Sequence, residues 1–165
     1  MPPVVSIVGK SESGKTTLIE KLIPVLKSRG LRIGVVKHAH HGFDLDQKGK
    51  DSERHQAAGA EVVMVASPDR IAMVRKMENP RLSDLIPFFG DVDLLISEGF
   101  KTDKAPKIEI FRPERHARPA CLGDDTLVAM VSDAAIDPGV PLFSTADIQA
   151  IANFVIARFL PGRQG

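Results

Sequence analysis

The chain contains no Trp and no Tyr, a single Cys, and almost no excess charge: 22 Lys and Arg stand against 21 Asp and Glu, a net +1. Each shortage removes a class of function. With Phe as its only large aromatic, the protein has little from which to build a stacking platform for single-stranded nucleic acid. Balanced charge argues against a general nucleic-acid binder, whose affinity rests on many Lys and Arg contacts to phosphate. Cys121 alone can form neither an internal disulfide nor a cysteine-based zinc site, and reads as a small residue in or near the core. No apolar run approaches the ~18 residues that cross a bilayer, so no membrane association is expected. The first residues, Met1 to Val8, lack the basic region and long apolar stretch of a secretory signal, and the expected compartment is a reducing cytoplasm.

What is present is ordinary for a globular protein. The 165 residues are 43% hydrophobic and 26% charged, which predicts one domain over 1–165 and excludes overall disorder. Short apolar runs alternate with helical patterns. Val4–Val8, Leu31–Lys37, Val62–Ala66, Asp93–Ser97 and Leu127–Val131 read as strands covered on both faces, the mark of a mainly parallel sheet. Ile71–Arg75 and Lys107–Phe111 alternate more and read as edge or antiparallel strands. The clearest helix runs from Lys15 to about Arg29, with Leu18, Ile19, Leu22, Val25 and Leu26 on one face and Gly30 just past its end. Pro24 conflicts with it, removing one internal hydrogen bond. Further helices are expected from Asp51 to Gly59, with Asp51 as a cap, from Ser83 to Phe88, and from Ala146 to Phe159.

Between the first strand and first helix, Gly9-Lys10-Ser11-Glu12-Ser13-Gly14-Lys15-Thr16 matches G-x-x-x-x-G-K-[ST] without a gap. Its glycines let successive amides curl around a phosphate, Lys15 reaches the β and γ phosphates, and the Thr16 hydroxyl can ligate magnesium. The helix adds its unpaired amides and the positive end of its dipole. A chance match in a chain of this size is expected roughly once in a few hundred sequences. The fold class that follows is α/β, a P-loop NTPase with flanking helices and some antiparallel edge strands.

Two later segments supply partners. The run Asp93–Ser97 ends in Glu98-Gly99, where an acid can hold magnesium opposite the Thr16 hydroxyl and a glycine lets the backbone approach the γ phosphate. The loop from Lys37 to Ser52 is dense in ligating groups: Asp44 and Asp46 can hold magnesium through water or orient an attacking water, and Lys48 and Lys50 can contact phosphate. His38, His40 and His41 raise a transition-metal site against a plain polar lining, while His55 and His116 read as exposed polar residues.

Together these residues resemble the MobB family, P-loop accessory proteins of molybdopterin guanine dinucleotide synthesis. The resemblance rests on the P-loop with Thr16-Thr17-Leu18, on Lys37-His38-Ala39-His40-His41 with Gly49-Lys50-Asp51-Ser52, and on Ala58-Gly59-Ala60. It continues in Ser97-Glu98-Gly99-Phe100-Lys101, Pro106-Lys107-Ile108-Glu109, Val131-Ser132-Asp133 and the closing Asp147–Ala152 helix. It implies a GTP-binding homodimer, with magnesium, that assists a MobA-type guanylyltransferase and meets molybdopterin-loading proteins, hydrolysing GTP slowly or only with its partner. By the same resemblance, Gly9 to Thr17 hold the nucleotide, Lys10 corresponds to the second lysine of deviant P-loops, and Lys15, Asp44 and Asp46 serve hydrolysis. Thr16, Glu98 and Asp44 hold the metal, and Gly99 lies at the nucleotide. An Asn-Lys-x-Asp guanine motif is absent; Asp133, after a late strand, is the candidate for guanine N1 and N2. Two other classes compete. A metal-delivery GTPase would use the histidine cluster, and a small-molecule P-loop kinase would use Arg112, Arg115 and Arg118 as a lid.

Overall fold

The structure is a computed structural model and describes residues 1–39 and 51–162. In chain order the elements are β1 (Val4–Val8), α1 (Lys15–Ser28), β2 (Ile33–Lys37), α2 (Asp51–Ala57), β3 (Val62–Ala66), β4 (Ile71–Arg75), α3 (Leu82–Leu85) with a 3-10 turn (Ile86–Phe89), β5 (Leu94–Glu98), β6 (Lys107–Ile110), β7 (Leu127–Val131), β8 (Leu142–Phe143) and α4 (Ile148–Phe159). They divide into two compact units, Met1–His38 with Arg81–Gly165, and Ala39–Pro80.

The larger unit is built on a six-stranded sheet in the order β2-β5-β1-β6-β7-β8, parallel throughout. Strands buried on both faces favour apolar residues on both, which is why β1, β5 and β7 are legible as largely apolar runs. One face carries Val5, Ile7, Leu94, Ile96, Ile108, Ile110, Ala129 and Val131. It packs on Leu18, Ile19, Leu22 and Leu26 of α1 and on Ile151, Ala152, Val155 and Ile156 of α4. Each of these valines, leucines and isoleucines contributes roughly 1.5–3 kcal/mol by leaving water, and the two alanines less. On the other face Val8, Leu127 and Met130 meet Phe111 and Cys121, and the buried hydroxyls of Ser6 and Ser97 satisfy each other at 2.6 Å.

The first helix continues through Pro24. Pro24 and Glu20, whose carbonyl loses its partner, both lie on the exposed side, where water can replace the missing donor. The helix ends as its sequence predicts: Gly30 takes φ +77°, its N–H donates to the Lys27 carbonyl (2.9 Å), and the Leu31 N–H reaches the Leu26 carbonyl (3.4 Å). That is a Schellman closure. At the other end of the chain, the Asp147 carboxylate accepts the Ala150 N–H at 3.0 Å and caps α4.

Two strand expectations are corrected. The alternation of Lys107 and Glu109 with isoleucines predicted an edge or antiparallel strand. Instead β6 is parallel, lies inside the sheet between β1 and β7, and is buried along its length. Its polar residues tolerate burial because they are paired. Lys107 Nζ donates to Asp124 Oδ2 (2.8 Å) and Thr126 Oγ1 (2.6 Å), and the Glu109 carboxylate accepts the N–H groups of Ala120 (2.5 Å) and Cys121 (2.8 Å). Val62–Ala66 was expected in the parallel sheet. It pairs antiparallel with β4 instead, and these two strands form a sheet of their own in the smaller unit. The antiparallel reading of Ile71–Arg75 holds. Val62, Met64, Val65 and Ile71 of this hairpin are exposed, so the apolar run there does not signal double-sided cover.

Candidate nucleotide-binding site

A parallel sheet collects functional groups at the carboxyl ends of its strands, on either side of the point where connections diverge. Here β1 feeds α1, which crosses to β2 beyond β5, while β6 lies on the other flank. The ends of β1, β2, β5, β6 and β7 therefore present Gly9, Lys37, Glu98, Arg112 and Asp133 along one edge.

The P-loop has the backbone its glycines foretold. Gly9 (φ +146°) passes so close to β6 that a Cβ would lie 2.5 Å from the Ile110 carbonyl oxygen and 2.6 Å from Ser13 Oγ. Glu12 and Gly14 take φ +57° and +97°, and the Ser13 N–H turns back to the Lys10 carbonyl (3.3 Å). The first bond of the α1 ladder runs from the Leu18 N–H to the Gly14 carbonyl (2.9 Å), so the amides of Lys15, Thr16 and Thr17 precede the ladder. Ser13 is fully buried, and among the described residues its Oγ has no hydrogen-bond partner. Lys15 Nζ closes the loop's mouth by donating to the carbonyls of Gly9 (3.1 Å) and Lys10 (2.7 Å). Burial pulls the Lys15 ammonium below its ordinary range, and Lys37 and Lys101 push the same way, while the Glu98 charge opposes them. A cradle holding that much uncompensated positive charge suits an anion.

Glu98 stands where its sequence position predicts. Thr16 Oγ1 donates to its Oε1 at 2.8 Å, and Lys37 Nζ lies 3.3 Å from the same oxygen. Adjacent oxygen ligands of an octahedral ion at ~2.1 Å are about 3 Å apart, so this hydroxyl–carboxylate pair matches a hard divalent cation in spacing and in donor type. Gly99 (φ +94°) spends its N–H on the Ile7 carbonyl (3.1 Å), and its Cα faces the Cβ of His38. His38 stacks on Phe100 with ring centroids 4.8 Å apart, and its N–H donates to the Glu98 carbonyl (2.9 Å). His40, His41, Asp44, Asp46, Lys48 and Lys50 lie outside the described residues. Among the described residues no group of three or more His, Cys, Asp or Glu side chains converges on a metal position.

The segment after β6 folds onto the loop. Lys10 Nζ donates to the Arg118 carbonyl (2.9 Å), His116 Nε2 meets the Ser11 carbonyl (2.8 Å), and Arg115 lies 3.6 Å from the exposed Glu12 carboxylate. His116 is thus half-buried against the P-loop, which corrects its reading as an exposed polar residue. Arg112 lies against Gly14. Of the three arginines grouped as a lid, one is paired to Glu12, one offers its backbone to Lys10, and one faces the loop.

Asp133 follows β7 as expected and is already at work. Its Oδ1 accepts from Ser144 Oγ (2.7 Å) and the Thr145 N–H (3.0 Å), its Oδ2 accepts from the Thr145 hydroxyl, and these bonds hold its carboxyl below the usual range. With both lone pairs of Oδ1 engaged, a two-pronged grip on a base requires giving up one of these bonds. Sequence reasoning did not pair Lys37 with Glu98, and it used Arg112 only as part of a kinase lid. The available signal was positional: each follows or ends a strand of the sheet and so falls on its carboxyl edge.

With this geometry in place, comparison with known proteins is informative. The profile of the family described as molybdopterin guanine dinucleotide synthesis protein B (MobB) matches residues 4–133. A molybdopterin-guanine dinucleotide biosynthesis adapter protein of Escherichia coli is 37% identical over 163 residues, covering 94% of this chain and 93% of its own. The protein of the same description from Haemophilus influenzae is 36% identical, covering 93% and 87%. Among solved structures, the crystal structure of Bacillus subtilis MobB aligns with a TM-score of 0.75 at 30% identity, covering 95% of this chain and 98% of that one. The parallel sheet, the P-loop beside Glu98 and these full-length similarities lead to one conclusion: the chain belongs to the MobB family.

Proposed function

We propose that this protein is a nucleotide-dependent adapter in molybdopterin guanine dinucleotide biosynthesis, binding GTP with magnesium and acting through a MobA-type guanylyltransferase. The adapter role is supported by the description its full-length relatives carry. Nucleotide binding rests above all on one observation, the convergence of Lys15, Thr16 and Glu98 at the mouth of a glycine-built loop. Magnesium, when bound, would neutralise phosphate charge. Thr16 and Glu98 would hold it, and the cradle itself fits the phosphates, since Gly9 leaves no space for a side chain and Ser13 Oγ has no partner among the described residues.

The remaining residues do the protein's part. The Lys15 ammonium would exchange its two carbonyl partners for phosphate oxygens, and the first amides of α1 would add neutral donors. Lys37, held beside Glu98, would balance that carboxylate whenever magnesium is away. Asp44 and Asp46 are proposed to orient water, with hydrolysis slow and partner-dependent. GTP is favoured over ATP by the family resemblance and by the acceptor Asp133 at the end of β7. The active form is proposed to be a homodimer in the cytoplasm that also meets molybdopterin-loading proteins. Among the described residues no helix is long and apolar enough to cross a membrane.

Titration calorimetry tests this reading with GTP, ATP and their slowly hydrolysed analogues, with and without magnesium. The wild-type protein should bind GTP, and Lys15→Ala should weaken binding at least tenfold. Neither nucleotide binding near 1 mM with magnesium, or Lys15→Ala binding as well as wild type, would refute it.

A further inference from the structure

The site has a direction. Thr16, Glu98 and Lys37 gather on the β5–β2 flank of the P-loop, so the terminal phosphates and their cation belong there. The nucleoside end must then leave the loop toward the opposite flank, the ends of β6 and β7. Ile110 pairs with Val131, and the Phe111 N–H donates to the Val131 carbonyl (3.0 Å), so Arg112 and Asp133 come next in register on neighbouring strands.

Arg112 is held in an unusual way for an arginine. Its guanidinium lies so close against the loop that a Cβ on Gly14 would be 3.2 Å from Nη2 and 3.4 Å from Nε. Its backbone carbonyl accepts the N–H groups of Arg115 (3.1 Å) and His116 (3.0 Å), which fixes the turn that carries it. Among the described residues the guanidinium donates no hydrogen bond, although it is close enough to Asp133 to help lower that carboxyl's pKa. A half-buried cation thus lies against the last glycine of the phosphate loop and next in register to the acid at the end of β7, donating no hydrogen bond among the described residues.

We propose that Arg112 is the stacking platform for the purine base of the nucleotide. It would lie against the base face while Asp133, with Ser144 and Thr145, borders the base edge. This goes beyond nucleotide binding by the P-loop but rests on it. The chemistry fits: a guanidinium stacks on an aromatic face through cation–π attraction and planarity, and a chain without Trp or Tyr has few other platforms. A phosphate contact is the competing use of the same side chain, and it makes the opposite prediction for lysine, which keeps the charge and loses the plane.

The test measures binding of GTP, GDP and inorganic tripolyphosphate to the full chain as wild type, Arg112→Ala, Arg112→Lys and Lys15→Ala, with thermal melting as a check on folding. Stacking predicts that both Arg112 variants lose about tenfold in GTP and GDP affinity, with tripolyphosphate unchanged, because one partly desolvated cation–π contact is lost. Rescue by lysine, or equal weakening of tripolyphosphate, would assign Arg112 to phosphate and overturn the proposal. Unchanged GTP affinity in Arg112→Ala would overturn it while leaving the P-loop reading intact, provided Lys15→Ala still weakens binding at least tenfold. Absence of GTP binding by the wild type would overturn both.

Discussion

At the start of β6 a buried ammonium depends on one carboxylate, and the two partners should not be equally expendable. The Lys107 side chain is 4% exposed and Asp124 32% exposed. Lys107 Nζ reaches Asp124 Oδ2 at 2.8 Å and Thr126 Oγ1 at 2.6 Å, whereas Asp124 also accepts the Thr126 N–H (2.8 Å) and hydroxyl (2.6 Å). In Asp124→Ala the cation stays buried with one hydroxyl for company, a situation that costs about 3–5 kcal/mol. In Lys107→Met an apolar chain of similar length fills the same space, and Asp124 keeps its Thr126 bonds and its access to water. That change should cost about 1 kcal/mol or less, and the double variant should recover most of the loss. For a chain of this size 1 kcal/mol is about 2–4 °C in Tm. Differential scanning calorimetry should therefore show Asp124→Ala melting about 10 °C low and Lys107→Met within about 4 °C of wild type.

The same pair sets an acid limb. The hydrogen bond from Lys107, with those from Thr126, lowers the Asp124 carboxyl from 3.8 to about 2. A depressed carboxyl contributes stability that is present above its unfolded value and is lost as pH falls through its folded value, here between about 4 and 2. Because a third of that side chain meets solvent, the contribution is about 1 kcal/mol rather than the full linkage value. It should shrink in Lys107→Met but not vanish, because the Thr126 bonds to Asp124 remain. If Asp124→Ala costs less than about 1 kcal/mol, or no more than Lys107→Met, the assignment of a dependent buried cation is wrong.

Three further outcomes are expected. Gly9→Ala places a methyl 2.5 Å from the Ile110 carbonyl oxygen at φ +146°, so it should cost about 2 kcal/mol or more and abolish nucleotide binding; melting and calorimetry check it. Glu98→Gln retains an acceptor for Thr16 and loses only the charge of a pairing whose lysine side is exposed, so the nucleotide-free Tm should move by about 2 °C or less. Its nucleotide affinity should fall about tenfold with magnesium present and stay unchanged in chelator, and equal loss in both would remove Glu98 from the cation. Cys121 is buried, and burial first, then Glu109 and Asp124, push its thiol up. It should resist a thiol reagent at pH 8 in the native state and react at once in denaturant; fast native reaction would contradict the packing of Phe111, Leu127 and Met130 around it.

Local pattern made a large part of this molecule legible. The P-loop, its preceding strand and its following helix are encoded within residues 4–30, where glycine positions, apolar period and the Gly30 stop are short-range physics. The same holds for β5 and β7, whose apolar runs do lie covered in the parallel sheet, for α4 with its apolar face, and for the placing of Glu98 opposite Thr16. The family itself was readable from those motifs.

Only the tertiary structure decided the rest. Lys107 and Glu109 look like surface alternation until partners 11 to 19 residues away turn them inward, so β6 becomes an interior parallel strand. His116 meets Ser11 across 105 residues, and Arg112 comes to Gly14 and Asp133 only because β6 lies between β1 and β7. Conversely β3 reads as doubly covered and is an exposed hairpin strand. The physical reason is common to all these cases. Backbone conformation and apolar periodicity are set by near neighbours, whereas the cost of burying a charge, and the use to which it is put, are set by whichever strand lies alongside.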